Sequence, residues 1–375
     1  MNLEEYAAKR SVLVPGGVPT PRGKVCETPE EAAAAVREIG PAVVKAQVPT
    51  GKRGKSGGIK MADTPEEAAK AASEIIGMTI GGSQVRRVLI EERCPIEREL
   101  YAAVLIDVVS RSPLILFSTE GGMDIEEIAE KNPAAIRRHV VDVKRGFSSA
   151  DAAELLKGLD LGKAAPAVGE VLVKLYKAFD TNDAELTEIN PLAILKDGRV
   201  VALDCKFTLD DASGVRKPEL AAAASPPEMT ALEKRGAEHG LKFIQLDGNV
   251  GVLANGAGLT MTTMDVIDHL GGKPANFLEI GGEAYTKAEV ALDLVLSNPG
   301  VRSLVVNFCG AFARTDVMAD GVVKAWKKLK PTVPVFFSIH GTGQEEAIKL
   351  VRGELGIEPY DFMEDAVKAA IEAAK

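Results

Sequence analysis

Apolar and polar residues alternate in a strand-then-helix pattern through the last third of the chain. Each short apolar run of strand type is followed by a stretch whose apolar residues recur three and four positions apart. The predicted strands are 250–254, 277–280, 303–308 and 333–339, and the helices that follow them are 259–270, 286–297, 316–329 and 343–354. Strands that alternate with helices in this way predict βαβ units and a doubly wound parallel sheet.

The earlier part of the chain mixes helices and strands less regularly. Thr28 and Thr64 each precede Pro-Glu-Glu, a pattern that predicts an N-cap followed by proline in the first helical turn. Asp197-Gly198 separates two apolar runs and predicts a hairpin of strands 186–195 and 200–206. The other predicted helices are 3–10, 125–130, 149–156 and 164–179, and the other predicted strands are 42–47, 88–92, 100–109 and 114–118.

A change of composition divides the two patterns. Residues 208–240 are polar and rich in alanine and proline, and we expect them to be irregular. With 375 residues, the chain is long enough for two or three domains. The sequence therefore predicts an α/β protein with a first domain over 1–225, a linker over 226–241 and a second domain over 242–375.

Composition narrows the classes of function. The net charge of −9 argues against broad nucleic-acid binding and against a basic membrane surface. The first ten residues contain no apolar signal core, and no apolar run approaches about 20 residues, so no membrane span is expected. The four cysteines are scattered and form no CxxC pair. We therefore expect a cytoplasmic protein that binds neither nucleic acid nor membrane.

A glycine-rich turn in the second domain predicts an anion site. Residues 255–258 read Asn-Gly-Ala-Gly and lie between an apolar strand and a helix. Such a turn leaves backbone N–H groups free at the positive end of the helix. The pattern is weak by itself, because glycines also serve tight turns in many α/β domains.

A second glycine-rich loop, residues 49–58, holds four glycines and three cations. Glycines let backbone amides approach phosphate oxygens, and Lys52, Arg53 and Lys55 could neutralise their charge. The spacing is not that of a P-loop, and a solvated flexible loop is the alternative. Lys45 lies on the preceding predicted strand, as a snorkelling side chain or as a partner for phosphate.

The predicted hairpin carries three polar residues that suit a metal. Glu188 and Asn190 point to the same face of their strand, and Asp204 can lie opposite Asn190 across the turn. An amide oxygen and a carboxylate suit Mg²⁺ that is otherwise held by water and phosphates. A polar outer strand face is the alternative.

Several segments along the chain carry a resemblance when they are taken together. They are VKAQ at 44–47, RGKSGG at 53–58, ELY at 99–101, STEGGM at 118–123, EINPL at 188–192, LD at 203–204, GN at 248–249 and NGAGL at 255–259. With them the chain resembles, nearly end to end, the β-subunit family of ADP-forming succinate–CoA ligases. This resemblance implies an ATP-grasp domain followed by a flavodoxin-like CoA-ligase domain.

The resemblance also implies roles for individual residues. The residues that would bind the nucleotide are Lys45, Lys52, Arg53, Gly54, Glu91 and Glu99. Those that would bind Mg²⁺ are Asn190 and Asp204. Glu188 matches a carboxylate that contacts a phosphohistidine. The residues that would bind the carboxylate substrate are Asn255, Gly310, Ala311, Phe312 and Ala313. The phosphohistidine belongs to a separate α subunit that also binds most of CoA, and none of the four histidines here matches it.

Three segments near the implied acid site depart from the family pattern. They are 308–316, with Ala311 and Phe312 in place of glycine and isoleucine; 338–343, with Ser338 and His340 in place of arginine and glutamate; and 278–283. Altered loops at strand ends could change the acid that is bound. Loss of one structural ion pair explains the changes at Ser338 and His340 equally well.

We therefore expect a β subunit that uses ATP, Mg²⁺ and CoA to convert a small carboxylic acid to its acyl-CoA. It would act with an α-type subunit in a heterodimer or heterotetramer. The alternatives are a ligase for another small acid such as malate, and a non-catalytic nucleotide-binding paralogue. A free-standing ligase is disfavoured, because no second domain with a phosphorylatable histidine is evident.

Overall fold

The computed structural model describes residues 1–51, 53–123, 125–225, 229–281 and 287–375. The chain divides into two compact units, Met1–Pro227 and Glu228–Lys375. No helix in the described ranges is long and apolar enough to cross a membrane.

The first unit is built on two antiparallel sheets. Its strands are β1 (Asn2–Leu3), β2 (Gly23–Cys26), β3 (Ala42–Ala46), β4 (Ile59–Ala62), β5 (Thr79–Ile80), β6 (Ser83–Gln84), β7 (Val88–Glu92), β8 (Ile96–Asp107), β9 (Ser112–Ser118), β10 (Ile136–Val140), β11 (Ala184–Leu195), β12 (Val200–Ala202) and β13 (Lys206–Leu209). The larger sheet has the order β1-β13-β11-β8-β9-β10, with β12 also paired to β11. The smaller sheet has the order β2-β7-β3-β4, and β5 pairs with β6.

Helices cover the apolar faces of these sheets. They are α1 (Glu5–Ala8), a π-helix (Lys9–Leu13), α2 (Pro29–Ile39), α3 (Pro65–Ile75), α4 (Ile125–Lys131), α5 (Ser149–Leu156), α6 (Ala165–Thr181) and α7 (Pro218–Ala223), with 3₁₀ turns at 133–135, 162–164 and 211–215. Helix α6 packs on the larger sheet, and α2 and α3 pack on the smaller one. Thr28 and Thr64 cap their helices as predicted, each accepting a hydrogen bond of 3.2 Å from the backbone N–H three residues on.

The predicted hairpin forms with the expected register. Leu192 lies opposite Ala202 and Glu188 opposite Lys206, so Asn190 and Asp204 occupy equivalent positions on the two sides. The second strand is not continuous, however, because strand pairing stops after β12 and resumes in β13. Asp204 lies in this interruption, where its carboxylate accepts a 2.7 Å hydrogen bond from the Cys205 N–H.

Two other predictions for this part of the chain were wrong in detail. The single helix over 3–10 is instead a short strand, a four-residue α-helix and a π-helix. The stretch 208–240 is not irregular throughout, because it contains α7 and the helix α8 (Ala231–Glu238). Helix α8 has a capping box between Thr230 and Glu233, which stabilises its first turn.

The second unit contains the predicted parallel sheet. Its strands are β14 (Phe243–Gln245), β15 (Val250–Ala254), β16 (Asn276–Leu278), β17 (Ser303–Gly310) and β18 (Val335–Gly341), and its helices after α8 are α9 (Ala257–His269), α10 (Ala288–Leu296), α11 (Thr315–Leu329), α12 (Gln344–Leu355) and α13 (Met363–Ala373). Strands β15, β17 and β18 pair in parallel, parallel bridges place β16 beside β15, and β14 pairs antiparallel with β16. The order β16-β15-β17-β18 is that of a flavodoxin-like fold.

Both faces of this sheet are covered. Adjacent residues of β17 show this, since Val305 packs in a cluster with α9 and α13, and Val306 packs in a cluster with α10, α11 and α12. Strand β14 and helix α13 were not predicted.

The chain connections reverse direction between β15 and β17. In such folds, ligands bind in the crevice at the carboxyl ends of the strands where this reversal occurs.

Candidate functional site

A cavity of about 480 Å³ opens in the first unit between residues of its two antiparallel sheets. This volume is within the range of small-molecule sites. Seven residues that the sequence assigned to nucleotide, metal or phosphohistidine line it together: Lys45, Arg53, Gly54, Glu91, Glu188, Asn190 and Asp204. Lys52, also assigned to nucleotide, lies outside the described residues.

Glu99 is placed next to the cavity rather than in its lining. Gly122 lines the cavity and has a positive φ of 72°. A Cβ built on Gly122 would overlap the Glu99 Oε2 atom. The Gly122 turn therefore depends on the absence of a side chain, and Glu99 lies directly behind it.

Lys45 is held on strand β3 by two buried carboxylates. Its Nζ lies 3.0 Å from Glu5 Oε1 and 2.5 Å from Glu91 Oε2, and it donates to the Leu203 carbonyl oxygen at 2.5 Å. Burial alone would lower the pKa of Lys45, but the charges of Glu5 and Glu91 outweigh it and raise that pKa. Lys45 therefore stays protonated although it is 8% exposed.

Glu5 is an acid that the sequence did not assign to the site. Its side chain has no solvent exposure and accepts hydrogen bonds from Lys9 at 2.7 Å, Lys45 at 3.0 Å and Arg53 at 2.6 Å. Burial would raise the pKa of Glu5, but the charges of Lys45, Lys9 and Arg53 hold it well below its ordinary value. Glu5 is therefore a buried anion shared by three cations.

Arg53 connects this buried anion to a more accessible carboxylate. One terminal nitrogen donates to Glu5 Oε2, and the other donates to Asp204 Oδ1 at 2.5 Å. Asp204 keeps 33% of its side-chain exposure, whereas the Arg53 side chain keeps 6%. Burial would lower the pKa of Arg53, but Asp204 and Glu5 raise it.

These contacts join six charged groups, which we call the buried charge cluster. It contains three cations and three anions: Lys9, Lys45, Arg53, Glu5, Glu91 and Asp204. The cluster is balanced in charge, which is the condition under which buried ions are tolerated. It places two cations that the sequence assigned to phosphate at the wall of the cavity.

Strand β11 presents the other predicted residues to the same cavity. The Tyr101 hydroxyl donates to Glu188 Oε2 at 3.1 Å, and burial together with the Glu188 charge raises the pKa of Tyr101. Asn190 accepts a 2.8 Å hydrogen bond from the Gly122 N–H and donates one of 2.7 Å to the Met123 carbonyl oxygen. Glu188 is thus held by the buried Tyr101, and Asn190 by Gly122 and Met123 of the cavity lining.

The donor set fits Mg²⁺ better than a metal that needs many protein ligands. No group of three or more His, Cys, Asp or Glu side chains suitable for a metal occurs among the residues described. The amide oxygen of Asn190 and the carboxylate of Asp204 line one cavity and are hard ligands. Mg²⁺ commonly takes one or two such ligands and keeps several waters.

In the second unit, Asn255 lies at the carboxyl end of β15, beside the end of β17. Its side chain donates to the Cys309 carbonyl oxygen at 2.8 Å and accepts from the Cys309 N–H at 2.7 Å. Helix α9 begins directly after Gly256, which has a φ of 83°. Asn255 and the uncapped first turn of α9 therefore lie at the position where the fold binds ligands.

The predicted acid loop follows β17 at the same edge. Gly310 ends the strand opposite Gly341 of β18, and a Cβ on Gly341 would overlap the Gly310 carbonyl oxygen. Phe312, two residues later, is fully exposed. Gly310, Ala311, Phe312 and Ala313 thus lie at the same strand edge as Asn255.

The two residues of β18 that depart from the family pattern, Ser338 and His340, occupy different environments. Ser338 is fully buried, and its hydroxyl finds no hydrogen-bond partner among the residues described. His340 is exposed and is registered opposite Cys309. Ser338 therefore does not face an open ligand site, whereas His340 does lie at the ligand-binding edge.

Comparison with known proteins agrees with the division into two units. The model of the ATP-grasp domain matches residues 2–194, and the model of CoA-ligase matches residues 253–371. A succinate–CoA ligase [GDP-forming] subunit beta from Thermus thermophilus is 43% identical over 99% of this chain and 98% of its own. The chain belongs to the family of succinate–CoA ligase β subunits.

Other β subunits of succinate–CoA ligase are equally similar. An ADP-forming one from Rubrobacter xylanophilus is 45% identical over all of this chain and 99% of its own. A solved structure of ATP citrate lyase from Methanothrix soehngenii, in complex with citrate and coenzyme A, covers 99% of both chains with a TM-score of 0.75 and 23% identity. That likeness supports the ATP-grasp and flavodoxin-like fold and nothing more specific.

Membership in the succinate–CoA ligase β-subunit family establishes the chain as one subunit of an acid–thiol ligase. A β subunit implies an α-type partner, and the two family models imply the use of a nucleotide and of CoA. The relatives are named for two different nucleotides, so membership alone leaves the nucleotide open.

Proposed function

We propose that this chain is the ADP-forming β subunit of a succinate–CoA ligase, and that it phosphorylates a histidine of its α-type partner with ATP. The observation that carries the proposal is the cavity of the first unit. It brings Lys45, Arg53, Glu188, Asn190 and Asp204 together although they are separated by up to 159 positions in the sequence, from 45 to 204.

The nucleotide phosphates would bind against the cationic wall of this cavity. Lys45 and Arg53 donate charge-assisted hydrogen bonds to phosphate oxygens, and Gly54 lets the backbone approach closely. Asn190 and Asp204 would hold Mg²⁺, which neutralises phosphate charge when it is bound. Glu99 is a proposed contact of the adenosine end. Glu91 is buried against Lys9 and Lys45, so its proposed role is to hold Lys45 for the phosphates rather than to contact adenosine.

Glu188 would act on the partner's histidine. Its carboxylate, fixed by Tyr101, can accept a hydrogen bond from one imidazole N–H and so leave the other ring nitrogen as the nucleophile. That nitrogen bonds to the γ-phosphorus as the bond to the β–γ bridging oxygen breaks, and ADP leaves. Positioning and charge neutralisation supply most of the catalysis in such transfers.

The second unit would take part in the later steps. The phosphoryl group passes from histidine to one oxygen of the acid, which gives an acyl phosphate. The CoA thiol then attacks the acyl carbon, its proton is lost, and phosphate leaves. Backbone N–H groups of the loop 310–313 and the side chain of Asn255 are the proposed contacts of the acid, and most of CoA would bind to the partner.

Succinate is the first candidate acid, because the similar β subunits are named for it. Another small acid is the second candidate, and the exposed Phe312 at the proposed acid loop is the observation that favours it. Ser338, which stands where the family pattern has arginine, is fully buried and offers no contact for the acid.

The test is reconstitution with an α-type subunit. ADP release that depends on both acid and CoA is measured for the chain alone and for the pair, with succinate, malate and other small acids compared by kcat/KM. The chain alone should be inactive and the pair active. Equal rates with and without the partner would refute the proposal of a half-enzyme, and a strong preference for another acid would replace succinate.

The same assay tests the remaining alternatives. Inactivity of every pair, with normal nucleotide binding, would support a non-catalytic paralogue. GTP replaces ATP in a parallel series, since one similar β subunit is named as GDP-forming. Light scattering of the purified pair distinguishes a heterodimer from a heterotetramer. The cytoplasmic location also remains a proposal, which fractionation of cells can check.

A further inference from the structure

We propose that Arg53 exchanges one partner for another. It holds Asp204 when no nucleotide is bound and turns to phosphate when the nucleotide binds. Phosphate binding therefore releases Asp204 for the metal. This inference rests on the proposed roles of Arg53 and Asp204 in the nucleotide site. It adds a coupling between the phosphate and metal positions that neither role implies alone.

The two ends of the Arg53 guanidinium have unequal surroundings. One terminal nitrogen is bound to Glu5, which has no solvent exposure and lies at the centre of the buried charge cluster. The other is bound to Asp204, which is one-third exposed at the cavity. The contact with Glu5 therefore anchors the group, and the contact with Asp204 is the one that a ligand can reach.

The contact with Asp204 competes with both proposed ligands. A guanidinium 2.5 Å from Asp204 Oδ1 repels a divalent cation approaching the same carboxylate. The carboxylate likewise repels a phosphate approaching Arg53. Exchange removes both repulsions in one step, because Arg53 gains phosphate oxygens and Asp204 gains the metal. By linkage, each ligand should then strengthen the binding of the other.

The first experiment uses metal-free ADP in EDTA and a double-mutant cycle. ADP affinity is measured calorimetrically for the wild-type chain and for Asp204→Asn, Arg53→Lys and the double variant. Lysine keeps a positive charge beside Glu5 but cannot reach Glu5 and Asp204 together as the forked guanidinium does. This choice protects the fold, which circular dichroism checks.

The exchange predicts that Asp204→Asn binds ADP at least about fivefold more tightly than the wild type, the lower end of typical coupling factors. The same substitution in the Arg53→Lys background should change ADP affinity less than about twofold, because the competing contact is already lost. An equal gain in ADP affinity in the wild-type and Arg53→Lys backgrounds would show simple charge repulsion between Asp204 and phosphate. No gain in either background would show that Asp204 does not compete with phosphate for Arg53. Each result would overturn the proposal.

The second experiment uses Mn²⁺ alone, with free Mn²⁺ followed by electron paramagnetic resonance and without nucleotide. Arg53→Lys should bind Mn²⁺ at least about fivefold more tightly than the wild type. Arg145→Lys is the matched control, since Arg145 pairs with Asp151 at 2.6 Å in the same unit and lies outside the cavity lining. Unchanged Mn²⁺ binding in Arg53→Lys would overturn the proposal.

The double variant tests the exchange at Arg53 separately from the proposed role of Asp204 as a metal ligand. If Asp204 is the ligand, Asp204→Asn in the Arg53→Lys background should abolish the gain in Mn²⁺ affinity. If the gain survives, Asp204 does not bind the metal, which refutes its proposed role and the metal half of the exchange. The ADP cycle contains no metal and still decides whether Arg53 exchanges Asp204 for phosphate.

Discussion

Glu5→Gln tests whether the buried charge cluster stabilises the first unit. The substitution keeps the shape of the side chain and removes the charge shared by Lys9, Lys45 and Arg53. The cluster then carries three cations and two anions. Breaking a buried ion pair by removing one partner typically costs about 3–5 kcal/mol, because it leaves a buried charge uncompensated.

The remaining contacts place the expected loss at the lower end of that range. Lys9 and Lys45 each keep a 2.5 Å contact with Glu91, and Arg53 keeps Asp204. No cation is left entirely without a carboxylate. We therefore expect Glu5→Gln to lower the free energy of unfolding of this unit by about 3 kcal/mol. With a urea m-value of about 3 kcal/mol/M, the midpoint should fall by about 1 M.

The assay is urea unfolding followed by circular dichroism, with fluorescence of Trp326 as an internal reference. Trp326 is the single tryptophan and lies in helix α11 of the other unit. Glu154→Gln is the matched control, because Glu154 pairs with Lys157 on an exposed helix face, and loss of such a pair costs well under about 1 kcal/mol. A change in Glu5→Gln no larger than that of the control would refute the reasoning.

The same variant predicts a pH dependence. The folded pKa of Glu5 is depressed below its unfolded value of about 4.3, so its stabilisation is complete above that pH and is lost as pH falls through the folded pKa. Wild-type stability should therefore fall more steeply below about pH 4 than that of Glu5→Gln. Parallel curves for the two proteins would contradict the depressed pKa.

Three further predictions concern the cavity of the first unit. Asn190→Ala and Asp204→Ala should each slow metal-dependent phosphorylation of the partner's histidine by roughly 10- to 100-fold or more, and near-normal rates at limiting Mg²⁺ would refute the metal assignment. Glu188→Gln should slow that phosphorylation on the order of 100-fold with little change in ATP affinity; an effect on affinity alone would contradict its role. Gly122→Ala should weaken ATP binding severalfold in a calorimetric titration, because its Cβ would displace Glu99, a proposed contact of the nucleotide. Gly158→Ala, which shares the positive φ but has open space around it, should not.

Local chemistry made much of this fold predictable. Helix caps at Thr28 and Thr64 and the Asp-Gly turn act within a few residues, so their signals survive in any context. The hairpin register followed from that turn and placed Asn190 and Asp204 in equivalent positions. The helix Ala231–Glu238 was missed although Thr230 and Glu233 form a capping box, because the surrounding composition suggested irregular chain.

The buried charge cluster could not be predicted from the sequence. Glu5 and Lys9 are four residues apart, the spacing of an ordinary exposed ion pair on a helix surface. Nothing local distinguishes such a pair from one that is buried. The contacts of this pair with Lys45, Arg53 and Glu91 span 40 to 82 positions and exist only in the folded unit.

The cluster would keep the proposed phosphate site charged before phosphate binds. A buried lysine without a partner would lose its proton, since burial disfavours the charged form. Glu5 and Glu91 prevent this at Lys45, so the cation is charged and positioned in advance. The same acids weaken its attraction for phosphate, and full neutralisation would abolish it. Asp204 is the accessible member of the cluster. In the proposed exchange its transfer from Arg53 to a metal would leave Arg53 paired with Glu5 alone, so the cluster would gain a net positive charge when the nucleotide is present and not before.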